Sequence, residues 1–127
     1  MTLFDRRATV SAGVFTVRVR CDLTREPCTG AFLACDPDKF CFGNKRPGPQ
    51  PSYRGRLAGS DFKVGNERTT AIEVGVTKLG ARLVAAPHGY QASVLISLKD
   101  YGMVTPTTPA AANQAVVFLR LIGHRAG

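Results

Sequence analysis

The stretch from Gly13 to Cys35, GVFTVRVRCDLTREPCTGAFLAC, governs how the rest of the chain is read. Its first part alternates: Phe15, Val17, Val19 and Cys21 fall on one side, Val14, Thr16, Arg18 and Arg20 on the other. Successive side chains of a strand point to opposite faces, so this is a strand with one buried and one wet face. A second apolar run, Thr29–Cys35, follows the turn DLTREP. Two such runs around a short polar turn predict a hairpin, with Cys21 and Cys28 beside each other at its closed end.

The same alternation recurs downstream. TAIEVGV places Ile72, Val74 and Val76 inward and Glu73 outward. YQASVLISLK sets Tyr90, Ala92, Val94, Ile96 and Leu98 against Gln91, Ser93 and Ser97. QAVVFLRLI reads as a strand apolar on both faces, SDFKV is a shorter strand, and a weak first strand falls at Ala8–Val10. TKLGARLVAA has helical spacing over Lys78–Ala85, with Thr77 at the cap position and PHG closing it. About seven strands and one short helical turn predict an all-β chain, folded as a two-sheet antiparallel sandwich. One domain over 1–127 is expected, with its core in 14–122 and two long loops, 36–56 and 100–113.

The chain has 127 residues, 44% of them hydrophobic and 20% charged, enough to bury a core and too apolar for general disorder. Its formal charge is +8, with twelve arginines to five lysines. That balance favours anionic partners such as nucleic acid, phospholipid headgroups or acidic cell-wall polymers; it also simply aids solubility. No apolar run reaches the ~20 residues of a membrane-spanning helix. The opening MTLFDRRATVSAG has no apolar signal-peptide core, so export by that route is not expected unless a signal has been removed.

The cysteines Cys21, Cys28, Cys35 and Cys41 admit three roles. Zinc sites favour cysteines two to four residues apart, whereas the gaps here are six, six and five, with His88 and His124 far off. A nucleophilic cysteine needs a nearby base, and nothing marks either histidine as one. Disulfides remain. An extended TGAFLAC holds Cys28 and Cys35 ~20 Å apart, beyond the reach of a bridge. The pairing left is Cys21–Cys28 with Cys35–Cys41, which places the chain in an oxidising compartment. Four free thiols in a cytosolic protein are the alternative.

The succession VRVRCDLTREPCTGAFLA, SDFKVGNERTTAIEVGVTKLGARLV and YQASVLISLKD, followed by a last strand, resembles bacterial extracellular immunoglobulin-like modules of the actinobacterial type. It is similar also to immunoglobulin-like domains of tailed-phage structural proteins. The resemblance spans roughly residues 14–122 as pattern and spacing; Cys35, Cys41 and the basic loop after them stand outside it as an insertion. It implies a non-catalytic module for surface display, adhesion or assembly, extracellular or at the cell surface. The alternative it implies is a virion decoration protein. It implies neither catalytic residues nor a cofactor.

No Gly-x-Ser-x-Gly, His-Glu-x-x-His or phosphate-loop motif is present. Asp36 and Asp38 flank Pro37, but an Asp-rich turn accounts for them as well as a calcium site does. The basic loop offers Lys45, Arg46, Tyr53, Arg54 and Arg56 among prolines that keep it extended. Arg with Tyr suits a protein or anionic-polymer contact, and less readily a single-stranded nucleic acid; a solvated loop without a role is the plain alternative. Tyr101 and Met103 are apolar for a loop and suggest a second contact surface. In an immunoglobulin-like plan DLTREP shares one pole with 100–113, and the basic loop shares the other with TKLGARL.

Overall fold

The computed structural model describes residues 1–37, 55–109 and 116–123. Cys41, Lys45, Arg46, Tyr53 and Arg54 of the expected sites, together with Asp38 and His124, lie outside the described residues. Nine strands and one helix follow in order: β1 (Thr2–Leu3), β2 (Arg7–Val10), β3 (Val14–Arg20), β4 (Cys28–Cys35), β5 (Arg56–Val64), β6 (Thr69–Val76), α1 (Lys78–Val84), β7 (Tyr90–Leu98), β8 (Gly102–Val104) and β9 (Val117–Gly123). The all-β class holds.

The strands form one hydrogen-bonded mixed sheet in the order β1-β3-β6-β5-β4-β7-β9-β2, curled into a half-barrel. β8 and β9 share the edge of β7 opposite β4: β9 pairs with Tyr90–Val94 and β8 with Ile96–Leu98. The curl follows from a tight turn. Ser11 and Val14 exchange backbone bonds of 2.9 and 3.1 Å, and Ala12 and Gly13 both have positive φ, 53° and 78°. Such a turn matches the twist of the strands it joins. It links β2, at one end of the strand order, to β3, near the other. The far edge is closed similarly: Leu3 N donates to Thr107 O at 2.8 Å, and Thr107 N to Met1 O at 2.9 Å.

Three expectations change. First, β3 and β4 do not form a hairpin; β6 and β5 stand between them in the ladder. The exposed DLTREP turn carries the chain over the end of the core from β3 to β4, whose inward faces meet, with the Phe15 and Phe32 rings 6.4 Å apart at 70°. Second, β2 runs parallel to β9, with Arg7 opposite Arg120 and Ala8 opposite Leu121, so the sheet is not purely antiparallel. Alternation carries no strand direction, which the Ser11–Val14 turn and the curl set here. Third, one strand is longer than the SDFKV read for it, and another lies within the segment 100–113 read as a loop. β5 begins at Arg56, and Gly102–Val104 pairs with β7 as β8.

The buried faces agree closely with the alternation. Phe15, Val17, Val19, Ile72, Val74, Ala92, Val94, Ile96 and Leu98 all enter one core. β9, read as apolar on both faces, buries only Val117, Leu119 and Leu121 and leaves Phe118 exposed. Thr77 caps α1 by accepting from Gly80 N at 3.1 Å, while its own hydroxyl donates to Arg56 O at 2.7 Å. Gly80 lets the helix lie on β5: a Cβ there would stand 2.1 Å from Leu57 O.

Cys21 and Cys28 form a disulfide, with Cα atoms 5.5 Å apart. It ties the end of β3 to the start of β4, two strands that share no ladder. Closing so short a loop stabilises the fold by about 2.5 kcal/mol through the unfolded chain's entropy. Cys35 is also disulfide-bonded; its expected partner, Cys41, lies outside the described residues.

Candidate functional site

The outer face of β5, β4, β7 and β8 is built from three cross-strand rows. Asp61, Ala31, Ser97 and Met103 make the first. Gly59, Leu33 and Leu95 make the second. Arg56, Cys35, Ser93 and Phe118 make the third. An irregularity between Ala34 and Cys35 shifts the β4–β5 register, so Leu57 and Ala58 are both buried while Arg56 pairs with Cys35 on this face.

A face of a curled sheet that carries polar residues needs no cover, but this one is largely apolar. Leu33 and Cys35 form a small buried cluster separate from the main core. Around them Met103, Val116 and Phe118 are exposed by 46%, 47% and 39%. Exposed large apolar side chains gathered on one face mark a contact surface more often than they occur by chance.

Between these rows lies an open groove of about 570 Å³, bounded by Leu33 and Met103, by Arg56 and Asp61, and by Thr77. Its floor is made by Gly59 and Gly75, which face each other where β5 meets β6; Leu33 Cδ2 and Arg56 Cδ would stand 3.4 and 3.6 Å from a Cβ at Gly59, so the open part is at Gly75. A Cβ at Gly75 would have only Gly59 O nearby, at 3.8 Å. The groove therefore presents backbone and apolar wall, with a cation and an anion on either side of Gly59.

The structure thus brings Arg56 and Met103, expected at opposite poles, to one groove. Met103 reaches it because β8 pairs alongside Ser97. Tyr101 goes elsewhere. Its hydroxyl donates to Glu26 Oε1 at 2.8 Å, joining the DLTREP turn to the β7–β8 turn. That hydrogen bond, then the charges of Glu26 and Asp100 and slight burial, raise the Tyr101 pKa, so the phenol stays protonated as a donor. Asp36, one half of the weighed calcium pair, accepts from Tyr90 Oη at 2.8 Å. Among the described residues no group of three or more His, Cys, Asp or Glu could hold a metal ion, and no helix is long and apolar enough to cross a membrane.

Sequence reasoning missed Gly59, Gly75, Leu33 and Phe118. Leu33 and Phe118 lie in apolar runs, where an apolar residue does not declare its face. The glycines contribute by lacking side chains, and a strand glycine is itself the signal of a close approach or an open surface. No protein-family model, no curated protein and no solved structure matches the chain.

Proposed function

We propose that this chain is a non-catalytic interaction module, immunoglobulin-like in plan, that presents the β5-β4-β7-β8 face to a protein partner in surface display, adhesion or assembly. The observation that carries the reading is the groove with its glycine floor, edged by exposed Met103 and continued by Val116 and Phe118. A partner suited to it inserts an apolar side chain over Gly59 and Gly75 and offers charges of both signs to Arg56 and Asp61. The strand order supports the immunoglobulin-like plan. β1-β3-β6 follows the A-B-E row, and β9-β7-β4-β5 follows G-F-C with an added C′. Among the described residues the two rows join through two residue pairs, Ala58–Val76 and Gly59–Gly75. The Cys21–Cys28 disulfide is compatible with an oxidising, extracellular setting.

The experiment is co-sedimentation of the purified chain with cell-envelope and virion fractions from its native source, alongside Gly75→Val and Met103→Lys. Wild type should sediment with one of the fractions, and both variants should stay in solution while folding normally. The proposal fails if wild type binds none of them, or if Gly75→Val, which fills the groove floor, binds equally well.

A further inference from the structure

The parallel pairing of β2 with β9 sets two arginines in direct register, Arg7 opposite Arg120. Their inward neighbours Ala8, Leu119 and Leu121 are buried, so both arginines face outward. Paired strands lie about 4.8 Å apart, and like charges directly opposite each other are destabilising. Folded chains usually relieve such a pair with a carboxylate, and among the described residues none pairs with either arginine. Among the described residues the ion pairs are Met1–Asp22, Arg18–Asp5 and Arg20–Asp22. Asp5, two residues before Arg7, is turned to β3: its Oδ2 accepts from Arg18 N at 2.6 Å and its Oδ1 from Arg18 Nη2 at 2.9 Å.

One of the two arginines is held in place. Arg120 Nη1 donates to His88 O at 2.9 Å and Nη2 to Gln91 Oε1 at 3.0 Å, while Arg120 N donates to Arg6 O at 2.9 Å. Because the Gln91 oxygen is engaged, its amide NH2 is left as a donor beside the guanidinium. Arg7 is exposed, as are Gln91 and His88. The result is a pre-set guanidinium, a second guanidinium in register, and an amide donor, all on one open corner of the sheet.

We propose that Arg7, Arg120 and Gln91 form a binding site for a phosphate group. A tetrahedral oxyanion lodged between the guanidiniums cancels their repulsion and accepts charge-assisted hydrogen bonds from both, which planar guanidinium groups make well. The site is separate from the glycine-floored groove and stands or falls independently of it.

The test is a titration with inorganic phosphate at constant ionic strength, followed by amide and arginine-side-chain NMR. Saturable shifts should appear at Arg7, Arg120 and Gln91. Arg7→Gln should weaken binding by about tenfold or more, the loss expected of a charge-assisted hydrogen bond. Arg25→Gln removes the same charge from the DLTREP turn and should leave the affinity unchanged. The site is overturned if the shifts are linear and spread over all basic residues, or if Arg25→Gln weakens binding as much as Arg7→Gln does. Phosphatidylglycerol vesicles then distinguish the source. Vesicle binding that inorganic phosphate competes away, and that Arg7→Gln abolishes, identifies a lipid headgroup. Saturable phosphate binding without vesicle binding identifies a small free anion.

Discussion

Replacing Gly80 with alanine sets two rules against each other. Helix propensity alone says that Gly→Ala in a helix interior stabilises by roughly 1 kcal/mol. The packing of α1 says the reverse. An added Cβ would stand 2.1 Å from Leu57 O, 2.8 Å from Val76 Cγ1 and 2.9 Å from Leu57 C. The nearest of these atoms is strand backbone, which cannot rotate away. Reaching an ordinary separation of 3.4 Å requires α1 to lift from β5 by about 1.3 Å. That movement breaks the Thr77 N to Leu57 O bond of 2.9 Å and the Thr77 hydroxyl bond to Arg56 O of 2.7 Å, and it loosens Val84 from the core. Two hydrogen bonds at about 1 kcal/mol each and partial loss of a buried valine come to roughly 4 kcal/mol, or about 3 kcal/mol after the propensity gain. For a chain of this length that is a fall in Tm of about 11 °C. Differential scanning calorimetry of Gly80→Ala beside wild type measures it. An unchanged or raised Tm would mean that α1 does not rest on β5 through Gly80, and the account of its docking would be wrong.

The double variant Cys21→Ser, Cys28→Ser should lose about 2.5 kcal/mol in urea unfolding without losing its fold, since the loop it opens is short. Gly75→Val should keep or raise stability by up to about 1 kcal/mol, because a β-branched residue suits an open strand position; a fall in urea midpoint would show that the groove floor is not open. Asp5 is pushed up by burial, but its hydrogen bonds to Arg18 and the Arg18 charge outweigh that and bring its pKa below the ordinary 3.8. A depressed carboxyl contributes stability that is complete above the unfolded value and is lost as pH falls through the native one. Asp5→Asn should therefore be less stable than wild type at neutral pH and match it in strong acid, as followed by urea midpoints across an acid series; a constant difference at every pH would remove the role given to the Asp5–Arg18 pair.

What was legible in the sequence is what alternation and capping encode. Phe15, Val17 and Val19 declared the face of β3, and Thr77 three residues before Gly80 declared the start of α1. The Cys21–Cys28 pairing emerged correctly although the hairpin expected to produce it does not exist. The short turn keeps the two cysteines close whichever way β4 departs. β8 was illegible because three residues amid glycine, threonine and proline carry no period, and its strand state comes from the edge of β7. The start of β5 was hidden by the register shift opposite Cys35, which buries Leu57 and Ala58 in succession and erases the alternation. The groove was unreadable for a related reason: Gly59 and Gly75 meet through a register between strands, and no local pattern announces that two absent side chains coincide.

The parallel pairing of β2 with β9 has a mechanical consequence. A pull applied through the two ends of the chain draws β2 backward and β9 forward along their own axes. The four register pairs from Arg7–Arg120 to Val10–Gly123 lie across that direction, so they bear the load together instead of opening one at a time. β1, with only two pairs to β3, sits ahead of this junction and would peel first. The fold is thus arranged like a lap joint with a short sacrificial tab, strong along its length and weak to a sideways tug.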